Sequence, residues 1–262
     1  MAADPIHQFQ ITKLLDFGQV TLPLIGKTDL AFTNSHLAMT IAFLVIVVFL
    51  TIVTFNMKVV PSRTQAVGES LFSMIDDLGE SIIGHEGRKL FPFVFTVFSF
   101  ILAMNVLGLL LTFTVTSQLA ITATFGFMTI LLVLIIGFAK NGLKFFKLFA
   151  PSGVPGPLLI LLVPIEFISF LIRPITLALR LFGNMLGGHV ALKVFAGFVV
   201  ALGGLYAAGG LGWLGLPGAV LPLGMVVALT ALECLVAFLQ AFVFAVLTCI
   251  YLNDVVNLGH GH

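Results

Sequence analysis

The sequence predicts an all-α membrane protein with about five transmembrane helices and one further amphipathic helix at the membrane surface. Three observations carry this. The 262 residues are 60% hydrophobic and only 9% charged, with a mean hydropathy of +1.19. Soluble domains run near a quarter charged, and a soluble fold of this size still needs a polar exterior. Apolar segments recur at or above the ~20-residue length that crosses a bilayer, much longer than the ~10-residue alternating strands of a membrane barrel. Between positions 63 and 88, finally, Val67, Leu71, Met74, Ile75, Leu78, Ile82 and Ile83 recur mostly at steps of three and four. They alternate with Arg63, Glu69, Asp76, Asp77, Glu80, Glu86 and Arg88, the pattern of an amphipathic helix at the surface or beneath a partner.

In order, residues 1–35 read as a polar tail with short apolar pieces such as Val20 to Ile25. A first span covers about His36 to Met57. Pro61 breaks it from the amphipathic 63–88 segment. A second span covers about Leu90 to Thr114 and a third about Leu119 to Ala139, so 36–150 holds the first three spans. Lys140, Lys144 and Lys147 among Phe145, Phe146, Leu148 and Phe149 mark a second interfacial piece at about 140–150. Pro151, Gly153, Pro155, Gly156 and Pro157 form a turn-rich linker. The region 157–262 then carries two long apolar segments, Leu158 to Tyr206 and Ala219 to Leu252, joined by a glycine-rich turn holding Trp213. Either the first hides two spans or both are long inclined helices; pattern alone leaves both open.

Lysine and arginine gather in the 57–90 and 140–150 loops and are missing from 115–118, from 207–218 and from the C-terminal tail. By the positive-inside rule those two basic loops are cytoplasmic, the N-terminus is outside and, after five crossings, the C-terminus is cytoplasmic. The two cysteines, Cys234 and Cys249, share one helix about 22 Å apart and cannot form a disulfide. The net charge of +1 comes without Lys/Arg blocks, so no nucleic-acid partner is expected. Phosphate-loop, metalloprotease, nucleophile-elbow and Cys/His metal motifs are missing. Covalent chemistry, a cofactor or a metal is therefore not expected of this chain.

What stands out is polarity inside the membrane. Glu166, Arg173 and Arg180 follow one another at steps of seven, which on a helix puts them on one face. Ser169, Thr176 and Asn184 join that stripe. His189 lies nine residues past Arg180, about half a turn off, and points the other way, with Lys193 one turn beyond it. The last segment carries Glu233 and Gln240, again seven apart. A membrane-buried glutamate needs a partner. His189 suits it, since imidazole and carboxylate can exchange a proton near neutral pH. Arg180 keeps its charge wherever it sits. A salt bridge to Glu166 or Glu233 would be its structural role, although Arg173 already competes for Glu166.

Leu179-Arg180-Leu-Phe-Gly-Asn184-Met-Leu-Gly-Gly-His189, preceded by Pro164-Ile-Glu166-Phe-Ile-Ser169 and Arg173-Pro174, resembles subunit a of the F-type ATP synthase. So does Leu239-Gln240 through Tyr251-Leu252. The likeness follows the order of elements from about residue 36 onward. It implies a stator beside a rotating ring of c subunits, each with a buried carboxylate, together with the b subunits of the peripheral stalk and the lipid bilayer as partners. It favours a long tilted hairpin over 157–262, facing the ring. Arg180 matches the essential arginine that meets each ring carboxylate and bars a proton leak. The resemblance places Asn184, Gln240, His189, Glu233 and Asn105 on the route from outside, and Glu166, Ser169, Thr176 and Arg173 on the cytoplasmic route. His189 and Glu233 stand exchanged relative to some bacterial members, as in mitochondrial-type ones. Gly108 stands where other members have an acid. The expected location is a bacterial plasma membrane rather than a mitochondrial one. The competing reading is an independent secondary transporter or channel with Arg180 as an anion-binding residue. Proton against sodium coupling and ring size are left open.

Overall fold

The computed structural model describes residues 11–22, 26–55, 57–110, 113–149, 156–207 and 215–258. Trp213, most of the Pro/Gly linker before it in sequence (Pro151, Gly153, Pro155) and the final Gly-His-Gly-His lie outside the described residues. The elements run β1 (Lys13–Leu22), β2 (Gly26–Thr33), α1 (Asn34–Phe55), α2 (Arg63–Ile83), α3 (Gly87–Leu110), α4 (Leu119–Asn141), α5 (Gly156–Ala207) and α6 (Gly215–Val256). Short 3-10 helices occupy Val115–Ser117 and Gly142–Leu148. Among the described residues, five segments are long and apolar enough to cross a membrane: Asn34–Phe55, Gly87–Leu110, Leu119–Phe146, Pro157–Gly204 and Pro217–Val256.

The segment read from sequence as a tail contains an antiparallel hairpin. Its strands pair from Lys13 with Thr33 to Leu22 with Gly26, with irregularities either side of Asp16. Gly18 takes φ 92° there, beside the Asp16 side chain that accepts its N–H at 3.0 Å, and only glycine adopts that angle without strain. The hairpin base is tied to α1. Asn34 Oδ1 accepts from Thr12 N at 3.3 Å and Asn34 N donates to Thr12 O at 3.1 Å.

α2 starts and stops where its chemistry dictates. Ser62 Oγ accepts the Gln65 N–H at 3.4 Å, and Gly84 ends the helix at φ 80°. Its buried face is Gln65, Gly68, Ile75, Gly79 and Ile83, and its charged residues Glu69, Asp77 and Glu80 are exposed.

The structure decides the question of the long segments. α5 is one helix of 52 residues and α6 one of 42. At 1.5 Å per residue α5 measures about 78 Å, more than twice the ~30 Å hydrocarbon core, so it cannot stand upright within a bilayer. α5 tolerates Pro164 and Pro174, and α6 tolerates Pro222. Each costs one helical hydrogen bond.

By internal contacts the chain divides into two compact units, to both of which α5 and α6 contribute. The first comprises Met1–Phe43, Ala103–Gln118 and Phe182–Leu239. Its core holds Ala42, Met104, Val115, Met185 and Ala237, and with them several buried polar residues. The second comprises Leu44–Leu102, Leu119–Leu181 and Gln240–His262. Its core is dense and apolar: Ile75, Phe98, Ile101, Val133, Phe244, Leu252 and Val255 are all 1% exposed or less. Phe145 packs edge-on to Phe149 and Phe170, with centroids 5.9 and 6.5 Å away, the T-shaped geometry aromatic rings prefer.

Candidate functional site

In the first unit, His189 projects from the buried stripe of α5 that also carries Met185, four residues earlier. Across from it, α6 presents Glu233. His189 Nδ1 lies 3.8 Å from Glu233 Oε2, and each residue is 8% exposed. The approach needs Gly188: a Cβ there would collide with Glu233 Oε1 and lie 3.0 Å from its Cδ. Both carboxylate oxygens of Glu233 and His189 Nε2 are buried without a hydrogen-bond partner among the described residues. One helical turn along α6, the Ala237 carbonyl accepts from Asn105 Nδ2 at 3.1 Å, while the Asn105 Oδ1 is buried and unpaired. Asn105 itself is fully buried. Imidazole, carboxylate and amide thus share one interior with hydrogen-bonding capacity to spare. Such groups stay in an apolar interior only if water or a transient partner satisfies them. Asn184 belongs to this unit too, but it is exposed.

In the second unit, Arg173 is the hub. Its Nη1 donates to Asp254 Oδ2 at 2.8 Å and its Nη2 to Glu166 Oε1 at 3.4 Å. Its guanidinium carbon stands 5.4 Å from the centre of the Tyr251 ring, within cation–π range. Glu166 and Arg173 meet because seven residues bring them onto one side of α5. Ser169 on the same side is half-buried, and Thr176 is exposed with its hydroxyl donating to Arg173 O at 2.9 Å. Asn141 holds the end of α6 by donating to Val255 O at 2.6 Å, and Asn257 does so by donating to Ile83 O at 3.2 Å.

Arg180 also belongs to this unit and differs sharply. It is exposed and makes no hydrogen bond or ion pair among the described residues. The salt bridge to Glu166 or Glu233 that would have made it structural does not form. Exposed Ile175 and Leu179 lie within two turns of it, at 55% and 48%, as do exposed Thr176 and Asn184. Gln240 is half-buried.

Asp254 escaped sequence reasoning. Hydropathy ended the last segment at Leu252, so Asp254 fell into the tail, whereas α6 continues to Val256. The usable signal was an acid three residues past Tyr251, at the end of a helix otherwise short of charge. No cluster of three or more candidate metal ligands occurs among the described residues. Both cysteines are free, Cys249 buried and Cys234 exposed.

The sequence has clear relatives. A profile of the family described as ATP synthase A chain matches residues 36–253. The protein named ATP synthase subunit a from Rhodopseudomonas palustris is 52% identical over 261 residues, 99% of this chain and 100% of its own length. Its namesake from Chelativorans sp. is likewise 52% identical over 261 residues, with 99% and 100% covered. The one from Hyphomonas neptunium is 49% identical over 258 residues, covering 98% of this chain and 97% of its own. A match of this length and identity, over a chain with five membrane-length helices, leaves one assignment: the chain belongs to the ATP synthase A chain family.

Proposed function

We propose that this chain is the membrane stator of an F-type ATP synthase. It conducts protons through two half-channels to and from the carboxylates of a rotating c-ring, and so couples proton flow to ATP synthesis. It works with the ring and the b subunits of the peripheral stalk, in a bacterial plasma membrane, with its N-terminus outside and its C-terminus cytoplasmic.

One observation carries the reading. Arg180 is permanently charged, exposed, and without a hydrogen bond or ion pair among the described residues, on a membrane-length helix whose exposed residues around it include Ile175 and Leu179 together with Thr176 and Asn184. A guanidinium facing hydrocarbon costs from about 3 to above ~10 kcal/mol. None of the carboxylates among the described residues supplies its counter-charge, and a ring carboxylate that arrives, pairs and leaves meets that need.

The other polar groups take roles around it. On the outside route, His189 and Glu233 pass a proton inward, and Asn105, Asn184 and Gln240 are assigned to the same route. The proton neutralises a ring carboxylate, and the neutral carboxyl can enter lipid because the charged form bears most of the burial cost. After nearly a full turn the carboxyl reaches the cytoplasmic route along Glu166, Ser169, Thr176 and Arg173. There it ionises, and Arg180 draws the carboxylate forward. Arg180 also stops protons crossing directly between the routes, since it does not release its own. The membrane potential drives each proton with about 2.3 kcal/mol per 100 mV.

The test is Arg180→Ala in inverted vesicles carrying the assembled synthase. ATP-driven acidification is expected to vanish, with passive leak preserved or raised. Pumping near the unsubstituted rate would overturn the proposal. Vigorous proton conduction by the purified chain alone would point instead to an independent transporter.

A further inference from the structure

The connection between α3 and α4 is unusual for a link between membrane spans. Such links meet water at the interface, yet Thr114, Val115, Thr116 and Ser117 are only 1%, 3%, 0% and 5% exposed. Three of the four carry hydroxyls. Two of these are satisfied locally: Thr114 Oγ1 donates to Gly108 O at 3.4 Å and Ser117 Oγ to Thr114 O at 2.6 Å. The third, Thr116 Oγ1, is buried with no hydrogen-bond partner among the described residues. Leaving a buried hydroxyl unmade costs about 1–3 kcal/mol, and valine would fill the same space without that cost.

The turn connects to the polar interior of the first unit link by link. Gly108, which accepts from Thr114, lies three residues along α3 from Asn105, and Asn105 donates to Ala237 O one turn from Glu233. At its other end the turn reaches the start of α1, where Ser35 Oγ donates to Gln118 Oε1 at 3.0 Å. The unpaired atoms, Thr116 Oγ1, Asn105 Oδ1, His189 Nε2 and the Glu233 carboxylate, all fall within this one unit.

We propose that the buried Thr114–Gln118 turn lines the outer stretch of the proton route, and that Thr116 is a positioning residue holding a water file that leads past Asn105 to Glu233. This rests on the outside route assigned above. Buried waters persist where they bridge two to four polar groups, and the unpaired hydroxyl, amide and carboxylate oxygens supply them. Thr116 touches no ring carboxylate, so its contribution is to hydrate and align rather than to carry the proton.

The test uses vesicles of the assembled synthase stripped of the soluble head, with passive proton conduction as the readout. Thr116→Val is expected to lower conduction at least threefold, and Thr116→Ser, which restores the hydroxyl, to recover most of it. Conduction by Thr116→Val at the unsubstituted rate overturns the inference. If Thr116→Val instead reduces the amount of assembled complex, Thr116→Cys in a Cys234→Ser, Cys249→Ser background decides. Silver ion enclosed in the vesicle lumen, which corresponds to the outer face of the membrane, is expected to block it, and failure to block overturns the inference. Glu233→Gln separates this inference from the reading beneath it. Unimpaired conduction in Glu233→Gln removes the outside route itself. Its loss alongside an unaffected Thr116→Val removes only the role of Thr116.

Discussion

Arg173 and Arg180 sit seven residues apart on the same helix and in the same unit, yet their surroundings are opposite. Arg173 is closed off by Asp254, Glu166 and the Tyr251 ring. Arg180 is exposed and makes no hydrogen bond or ion pair among the described residues. The difference teaches how to tell two kinds of membrane charge apart. A guanidinium with two carboxylates has its desolvation offset inside the chain. One left bare on an apolar helix has it offset only by something that comes from elsewhere. The first arrangement is a fixed scaffold, and the second is what the proposed function requires of one half of a moving contact.

The hardest blow to this comparison would be a tolerant Arg180. Arg180→Lys keeps the charge but exchanges a flat fork, weakly hydrated and never deprotonated, for an ammonium that gives up its proton when buried. ATP-driven pumping is expected to fall at least a hundredfold, measured by vesicle acidification. A fully active lysine variant would mean that any cation serves. Arg173→Ala should be milder, on the order of tenfold, because a fixed pair can be replaced. It leaves Asp254 and Glu166 without their cation, so Arg173→Gln combined with Asp254→Asn is expected to pump better than Arg173→Gln alone. Additive losses in that double-mutant cycle would show that the cluster is not a unit.

Gly188→Ala probes the first unit. The added methyl must displace the Glu233 side chain from its place beside His189, and proton conduction is expected to fall several-fold. The exchange His189→Glu with Glu233→His keeps the pair with its ends reversed, and should be less harmful than either single alanine. Equal losses in all three would argue against a functional pair.

The smallest effect is expected at Glu86. Hydrogen bonds from Lys89 first and Lys140 second, at 2.9 and 3.4 Å, hold its carboxyl below the ordinary 4.5. A carboxylate with a depressed folded-state value stabilises the fold above the ordinary value. That contribution is lost as pH falls through the lower one. The Glu86 side chain is 46% exposed, so salt screens the contacts. Glu86→Gln is expected to lower the melting temperature in detergent by about a degree at neutral pH and low salt. In acid or at high salt it should make no difference.

Much of this was legible in the sequence because a bilayer punishes polar groups so strongly. Arg180, His189 and Glu233 stood out since nothing ordinary explains them in long apolar runs, and the step of seven between Glu166 and Arg173 foretold their contact. Periodicity likewise marked α2. Asp254 was hidden because a hydropathy boundary falls where average polarity rises, whereas a helix continues as long as its backbone bonds are met. The hairpin at residues 13–33 was hidden because irregular strands with a glycine at φ 92° break the alternation by which strands are recognised.

The sequence by itself determined the membrane class, the helical elements and the residues that do not belong in lipid. These follow from local composition and spacing, each legible within a few turns of chain. Only the tertiary structure decided that the two last segments are single long helices. It alone decided which arginine is ion-paired among the described residues, that Gly188 makes room for the Glu233 carboxylate, and that the Thr116 hydroxyl is buried without a hydrogen-bond partner among them. The pairings among them depend on residues far apart in sequence meeting in space, as Gly188 and Glu233 do, and Arg173 and Asp254 across 81 positions. Burial and partnership belong to the packed chain, and local pattern does not encode them.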